Sequence, residues 1–246
     1  MQVTVSGNGP DLVLLPGWGM SAQVWTEMAL LLAPQLRVHC VDWSADIDDA
    51  PATLDALADA VGALTAPRAT VCGWSLGGQL ALRWALRAPA QVARLILVAT
   101  TPCFVRRSGW DHGMEPAVFE AFAQDLARDP RVTLQRFIVL QAHGDTAERT
   151  VIRRLRACMA ASDAAALAAG LQILKQTDLR AELAQIHQPA LVFHGECDTV
   201  VPAGASDYLQ RALPHARLAT IAGAAHAPFI AQPRAVAQRM AEFCRG

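Results

Sequence analysis

Val71-Cys72-Gly73-Trp74-Ser75-Leu76-Gly77-Gly78 decides how this chain is read. An apolar run leads into it. Gln79-Leu80-Ala81-Leu82-Arg83-Trp84-Ala85-Leu86, which reads as a helix, follows it directly. Gly73 to Gly77 is therefore a G-x-S-x-G pattern set between a strand and a helix. A serine on such a turn sits in a strained backbone conformation with its hydroxyl raised into a cleft. Glycines flank it because side chains two positions away on either side would collide. The helix that begins there brings free backbone N–H groups and a positive dipole end close to the reacting oxygen.

The rest of the chain repeats the strand-then-helix rhythm around this turn. Leu12–Leu15, Val38–Val41 and Leu95–Ala99 read as buried strands, and Ala69–Cys72, Ala190–His194 and Arg217–Ile221 also read as strands. Helical spacing occupies Gln23–Leu32, with Ser21 as its expected N-cap, and Thr53–Leu64, stopped near Pro67. It returns at Ser206–Ala212 and Arg234–Cys244. Residues 44 to 52 are small and acidic and read as loop. Continuous apolar strands alternating with helices predict an α/β fold, a mostly parallel sheet covered on both faces. The rhythm breaks at Thr100-Thr101-Pro102. Four helical patterns follow, at Pro116–Ala127, Val132–Gln141, Ala147–Ala160 and Ala164–Leu174, without a convincing strand. The expected organisation is a core of residues 1–102 and 178–246 and a helical cap of residues 103–177.

At 246 residues the chain suits one α/β domain carrying an insertion, and 53% hydrophobic residues supply a large core. A formal charge of -1 excludes the strong positive excess of a nucleic-acid binder. Cys40, Cys72, Cys103, Cys158, Cys197 and Cys244 show neither metal-ligand nor redox spacing, so no metal and no cofactor is expected. The start Met1-Gln2-Val3-Thr4-Val5-Ser6-Gly7 has no signal-peptide pattern, and no apolar run is long enough to span a bilayer. A cytoplasmic monomer with reduced thiols is expected.

A serine hydroxyl needs a base within hydrogen-bond reach and an acid to orient that base. In this strand order the acid and then the histidine follow the serine. Among the seven histidines, His226 fits the base: it lies in Ala224-Ala225-His226-Ala227-Pro228, after the last strand and before the last helix. His39 and His194 fall inside strands and read as structural. His112, His143, His187 and His215 fall in the insertion or in loops. Asp198, in His194-Gly195-Glu196-Cys197-Asp198, is the expected acid, because catalytic groups gather at the carboxyl ends of such strands; Glu196 is its nearest competitor. The oxyanion of a tetrahedral intermediate needs two N–H donors. Leu76 supplies one, and the loop Pro16-Gly17-Trp18-Gly19 supplies the other, expected at Trp18.

In this order the residues resemble the α/β-hydrolase family over essentially the whole chain. Within it they are most similar to the esterases that cleave a carrier-bound pimeloyl methyl ester in biotin synthesis. The narrower likeness rests on Gly17-Trp18-Gly19 with Val24-Trp25, on Thr101-Pro102-Cys103-Phe104, and on Arg136-Phe137-Ile138-Val139-Leu140-Gln141. It extends through Gly170-Leu171-Gln172-Ile173-Leu174-Lys175, Asp178-Leu179-Arg180 and Ala224-Ala225-His226-Ala227-Pro228-Phe229-Ile230. The resemblance implies a substrate site at Trp18, Ser75, Leu76, Phe137, Ile138, Val139, Leu140, Gln141 and His226. It also implies an acyl carrier protein as partner, docked on Arg136, Arg149 and Arg153. Arginine suits an acidic carrier and its phosphopantetheine phosphate. Three positions depart from the family pattern. Pro16 replaces a histidine, Asp42-Trp43-Ser44-Ala45-Asp46 lacks the glycine-rich loop, and Val132 takes the place of another cap arginine, with Arg131 beside it. The same catalytic residues also suit a general short-chain carboxylesterase or thioesterase, or a hydrolase-like receptor that only binds its ligand.

Overall fold

The computed structural model describes residues 1–43, 53–65, 68–160 and 164–246. Seven strands, β1 (Gln2–Ser6), β2 (Asp11–Leu15), β3 (Arg37–Asp42), β4 (Ala69–Trp74), β5 (Val92–Val98), β6 (Ala190–Gly195) and β7 (Ala216–Ile221), form one sheet. Its order is β1-β3-β2-β4-β5-β6-β7. β1 runs antiparallel to β3 and every other pair is parallel. The inner strands read as unbroken apolar runs because both faces are covered. Along β2, Val13 and Leu15 belong to one core, while Leu12 and Leu14 belong to the other.

The first core packs under α2 (Leu54–Leu64), α3 (Leu76–Arg87) and α8 (Ala203–Ala212). The second packs under α1 (Thr26–Leu32), α9 (Pro228–Ala231) and α10 (Pro233–Arg245). Thr53 caps α2, its hydroxyl oxygen accepting the Ala56 N–H at 3.1 Å. The segment at 44 to 52 and the helix stop near Pro67 lie outside the described residues.

Between β5 and β6 the chain forms α4 (Pro116–Arg128), α5 (Pro130–Ala142), α6 (Glu148–Ala157) and α7 (Ala164–Gln176). Among the described residues this stretch makes only isolated β-bridges. Its ends lie side by side: the Leu179 N–H donates to the Pro102 carbonyl at 2.9 Å. No helix among the described residues is long and apolar enough to cross a membrane.

Three local features differ from the sequence reading. Ser21 does not cap a helix with its side chain. Residues Ala22–Trp25 form a 3-10 turn before α1, and the Ser21 hydroxyl instead donates to the Cys158 carbonyl at 3.1 Å. Strand β1 was not anticipated. It is an edge strand with mostly exposed side chains, so it lacks the apolar run that marks the inner strands. α5 also begins earlier than its apolar spacing suggests. Asp129 caps it by accepting the Val132 N–H at 3.0 Å, and Pro130 takes the first turn, where its missing N–H costs nothing.

Candidate active site

β2 has β3 on one side and β4 on the other, so the loops leaving β2 and β4 diverge and open a crevice at the carboxyl ends of the strands. The loop after β2 carries Trp18, the turn after β4 carries Ser75, the loop after β6 carries Asp198, and the loop after β7 carries His226.

Ser75 has φ 54° and ψ -118°, a conformation costly for any residue with a Cβ. Its surroundings hold it there. Its N–H donates to Val98 at 3.0 Å, and its carbonyl accepts from the Thr100 hydroxyl at 2.6 Å and from the Gly78 N–H at 2.9 Å. A Cβ on Gly73 would stand 2.0 Å from the Gly77 carbonyl oxygen, so the turn closes only with glycine there. One on Gly77 would stand 2.5 Å from the Leu15 and Pro16 oxygens. Pro16 thus takes part through its backbone, pressed against the elbow.

Asp198 and His226 meet in the protein interior, with side-chain exposures of 0% and 1%. Asp198 Oδ2 lies 2.9 Å from His226 Nδ1, while Oδ1 accepts the N–H groups of Val200 at 2.9 Å and Val201 at 3.0 Å. A carboxylate only accepts, so Nδ1 carries the imidazole proton and Nε2 presents a lone pair. Nε2 is buried and forms no hydrogen bond among the described residues, Ser75 included. Hydrogen bonds of this kind are often long without substrate and tighten when it binds. Glu196 lies apart from the pair, on the surface, accepting the Gly223 N–H at 2.9 Å.

Leu76 is the first residue of α3, so its N–H has no carbonyl one turn back. The Trp18 N–H donates to no group among the described residues. The Trp18 indole is pinned to the cap, donating to the Leu167 carbonyl at 2.9 Å. Its ring meets Phe137 and Phe122 edge-on, at centroid distances of 5.4 Å and 5.6 Å.

Helical geometry divides the Phe137–Gln141 run. Phe137 packs on Trp18, Ile138 is fully buried in the second core, and the Gln141 side chain is buried. Val139 and Leu140 are each 40% exposed and face a groove of ≈ 640 Å³ shared with Arg136, His143 and Arg156. Arg149 and Arg153 are exposed one turn apart on α6, and Arg136 is 74% exposed. Arg154 turns the other way and pairs with Glu27 in the first turn of α1.

Three supporting groups escaped the sequence reading. Trp74 donates its indole N–H to the His226 carbonyl at 2.8 Å. The Gln141 carbonyl accepts the His226 N–H at 3.0 Å. Asp145, on the turn between α5 and α6, accepts the Ala225 N–H at 2.8 Å. Their partners lie far away in the chain, so no local pattern marks them.

His194 lies close enough to feel the charges of Asp198 and His226, but its hydrogen bond goes elsewhere. Burial holds its pKa below the ordinary histidine value, and Nδ1 lies 2.8 Å from the hydroxyl of Ser206, itself buried. Burial pushes the Cys40 and Cys244 thiols up to about 11 and raises Cys72 well above the ordinary thiol value, which removes them as competing nucleophiles.

A serine at a strand-to-helix elbow, facing the crevice of a doubly covered parallel sheet, is the arrangement of an α/β hydrolase. The chain belongs to the alpha/beta hydrolase family, whose model matches residues 12–239. It is 44% identical over 239 residues to the pimeloyl-[acyl-carrier protein] methyl ester esterase of Nitrosomonas europaea, covering 95% of each chain. It is 41% identical to the enzyme of that name from Aromatoleum aromaticum, over 97% of this chain and 100% of the other. The solved structure of an esterase from Exiguobacterium antarcticum shares the fold, with a TM-score of 0.88 at 21% identity over 99% of this chain and 95% of that one.

Proposed function

We propose that this chain is a serine carboxylesterase that hydrolyses the methyl ester of a pimeloyl group carried on acyl carrier protein, releasing methanol and the free acid. Ser75 is the nucleophile. His226 Nε2 takes the hydroxyl proton as Oγ attacks the ester carbonyl, and Asp198 steadies the imidazolium that forms. The backbone N–H groups of Trp18 and Leu76 bind the oxyanion. The proton passes to the departing methoxide, methanol leaves, and an acyl-enzyme remains. Water, deprotonated by the same imidazole, attacks this ester, and the carboxylic acid departs as Ser75 regains its proton.

Trp18, Phe137 and Gln141 line the acyl chain's path in this reading, with residues 103–177 as the cap over it. Ile138, Val139 and Leu140 act by shaping α5. Exposed Arg136, Arg149 and Arg153 receive the acidic carrier from outside. The hydrolytic reading rests above all on two features, the buried Asp198–His226 pair and the strained turn at Ser75. Near-full-length likeness to the named esterases supports the substrate.

The test compares carrier-linked pimeloyl methyl ester with a panel of free short-chain esters, for the native protein and Ser75→Ala. Expected are a kcat/KM highest for the carrier-linked ester and a loss of order 10³ or more in the variant. Equal rates on every ester would return the chain to the general carboxylesterases. Activity surviving in Ser75→Ala would remove the nucleophile assignment.

A further inference from the structure

The loop that carries His226 is gripped from two sides. From the sheet, Gly195 lies so close that a Cβ there would stand 1.9 Å from the Ala225 oxygen. The Cys197 N–H donates to the Ala224 carbonyl at 2.8 Å. From the insertion come three further bonds. His226 N–H donates to the Gln141 carbonyl at 3.0 Å, Thr146 N–H donates to the Gly223 carbonyl at 2.8 Å, and Ala225 N–H donates to the Asp145 carboxylate at 2.8 Å. Two of these join backbone to backbone. The third depends on one side chain.

We propose that Asp145 is a positioning residue, holding the histidine loop from the turn between α5 and α6 so that His226 stays aligned with Ser75. This rests on the reading of His226 as the general base. Asp145 is 6% exposed and both its oxygens are engaged. Oδ1 accepts the Ala147 N–H at 2.7 Å at the start of α6, which fixes how the carboxylate points. Oδ2 then meets the N–H of Ala225, the residue directly before His226. Ala225 is 1% exposed, so water does not replace a lost acceptor. Only a side chain with two acceptor oxygens satisfies both N–H groups. Asparagine offers one oxygen and turns an N–H₂ group toward the other donor. Ala225 must then shift to find a partner, and His226 moves with it.

The experiment measures kcat and KM on a p-nitrophenyl ester, and the inactivation rate with a serine-directed phosphonate. The proteins are the native chain, Asp145→Asn, Asp145→Ala, Asp129→Ala and His226→Ala. Misplacing a catalytic group by about 1 Å costs up to about a hundredfold. Expected for both Asp145 variants is a fall of about tenfold to a hundredfold in kcat and in the inactivation rate, with KM within about twofold. The downfield proton resonance of the His226 Nδ1–H should broaden or vanish. Asp129→Ala removes the cap of α5, elsewhere in the insertion, and should keep kcat near native at a similar loss in Tm. Native kcat in Asp145→Asn, or a kcat loss in Asp129→Ala equal to it at matched Tm, would overturn the inference. Retained activity in His226→Ala would bring down the general-base assignment and the inference with it.

Discussion

Replacing Ser75 by glycine should make the protein more stable while destroying its activity. At φ 54° and ψ -118°, a residue with a Cβ is strained by about 1–3 kcal/mol. Glycine adopts that conformation freely but gives the unfolded chain more freedom, a cost of roughly 0.5–1 kcal/mol. The serine hydroxyl makes no capping bond to α3, so its loss removes no interaction of that kind from the fold. The net gain is about 1 kcal/mol. For a chain of 246 residues this raises Tm by about 2–4 °C. Ser75→Ala is the decisive comparison, because it removes the hydroxyl and keeps the Cβ. Differential scanning calorimetry of the native, alanine and glycine proteins at one scan rate should put the glycine protein highest and the other two close together. A glycine protein that melts at or below the alanine protein would show that the elbow stores no strain.

Asp198→Asn should lower kcat by on the order of 10⁴, while Glu196→Gln, altering a surface carboxylate bonded to Gly223, should have little effect; the reverse ranking on one ester would move the acid role to Glu196. Reversing charge at Arg149 and Arg153 together should raise KM for the carrier-linked ester by on the order of tenfold at low salt and leave a small free ester untouched, and equal losses on both would assign the arginines to the cap's own structure. The Arg180 guanidinium beside Asp178 holds its carboxyl below the ordinary 3.8. That stabilisation is present above the unfolded value and disappears as pH falls through the lower folded one. Asp178→Asn should therefore lower Tm at pH 7 by about 2 °C or less, the pair being partly exposed, with the gap to the native protein closing at acid pH in a thermal melt series. A gap that does not narrow as pH falls below the ordinary carboxyl range would refute the pairing.

The fold was legible wherever burial acts on both faces of a strand. Inner strands must be apolar throughout, so β2, β4, β5 and β6 announce themselves, and the elbow follows from two glycines and a serine at fixed spacing. β1 was hidden because an edge strand with mostly exposed side chains has no such pattern. His226 and Asp198 were legible as residues after strands, since the sheet brings the ends of parallel strands together whatever their separation along the chain. Asp145 was not, because its partner Ala225 comes from a loop 80 positions away and neither belongs to a motif. The division of Phe137–Gln141 is a matter of helical periodicity. Five consecutive residues cannot share one side of α5, and only the packed structure says which of them turn toward Trp18.

The two ends of the insertion lie side by side, bridged between Cys103 and Asp178 and bonded from Leu179 to Pro102. Such a junction lets a segment be exchanged for a longer or shorter one with little effect on the sheet, since chain closure depends only weakly on length. Relatives can therefore trade caps, and with them substrates, while the elbow stays as it is. The exchange still has one condition. Any incoming segment must offer acceptors to the amides of Ala225 and His226 and to the Trp18 indole, or those donors are buried without partners. What evolution can swap here is the outer surface of the cap, provided its inner lining keeps those three acceptors.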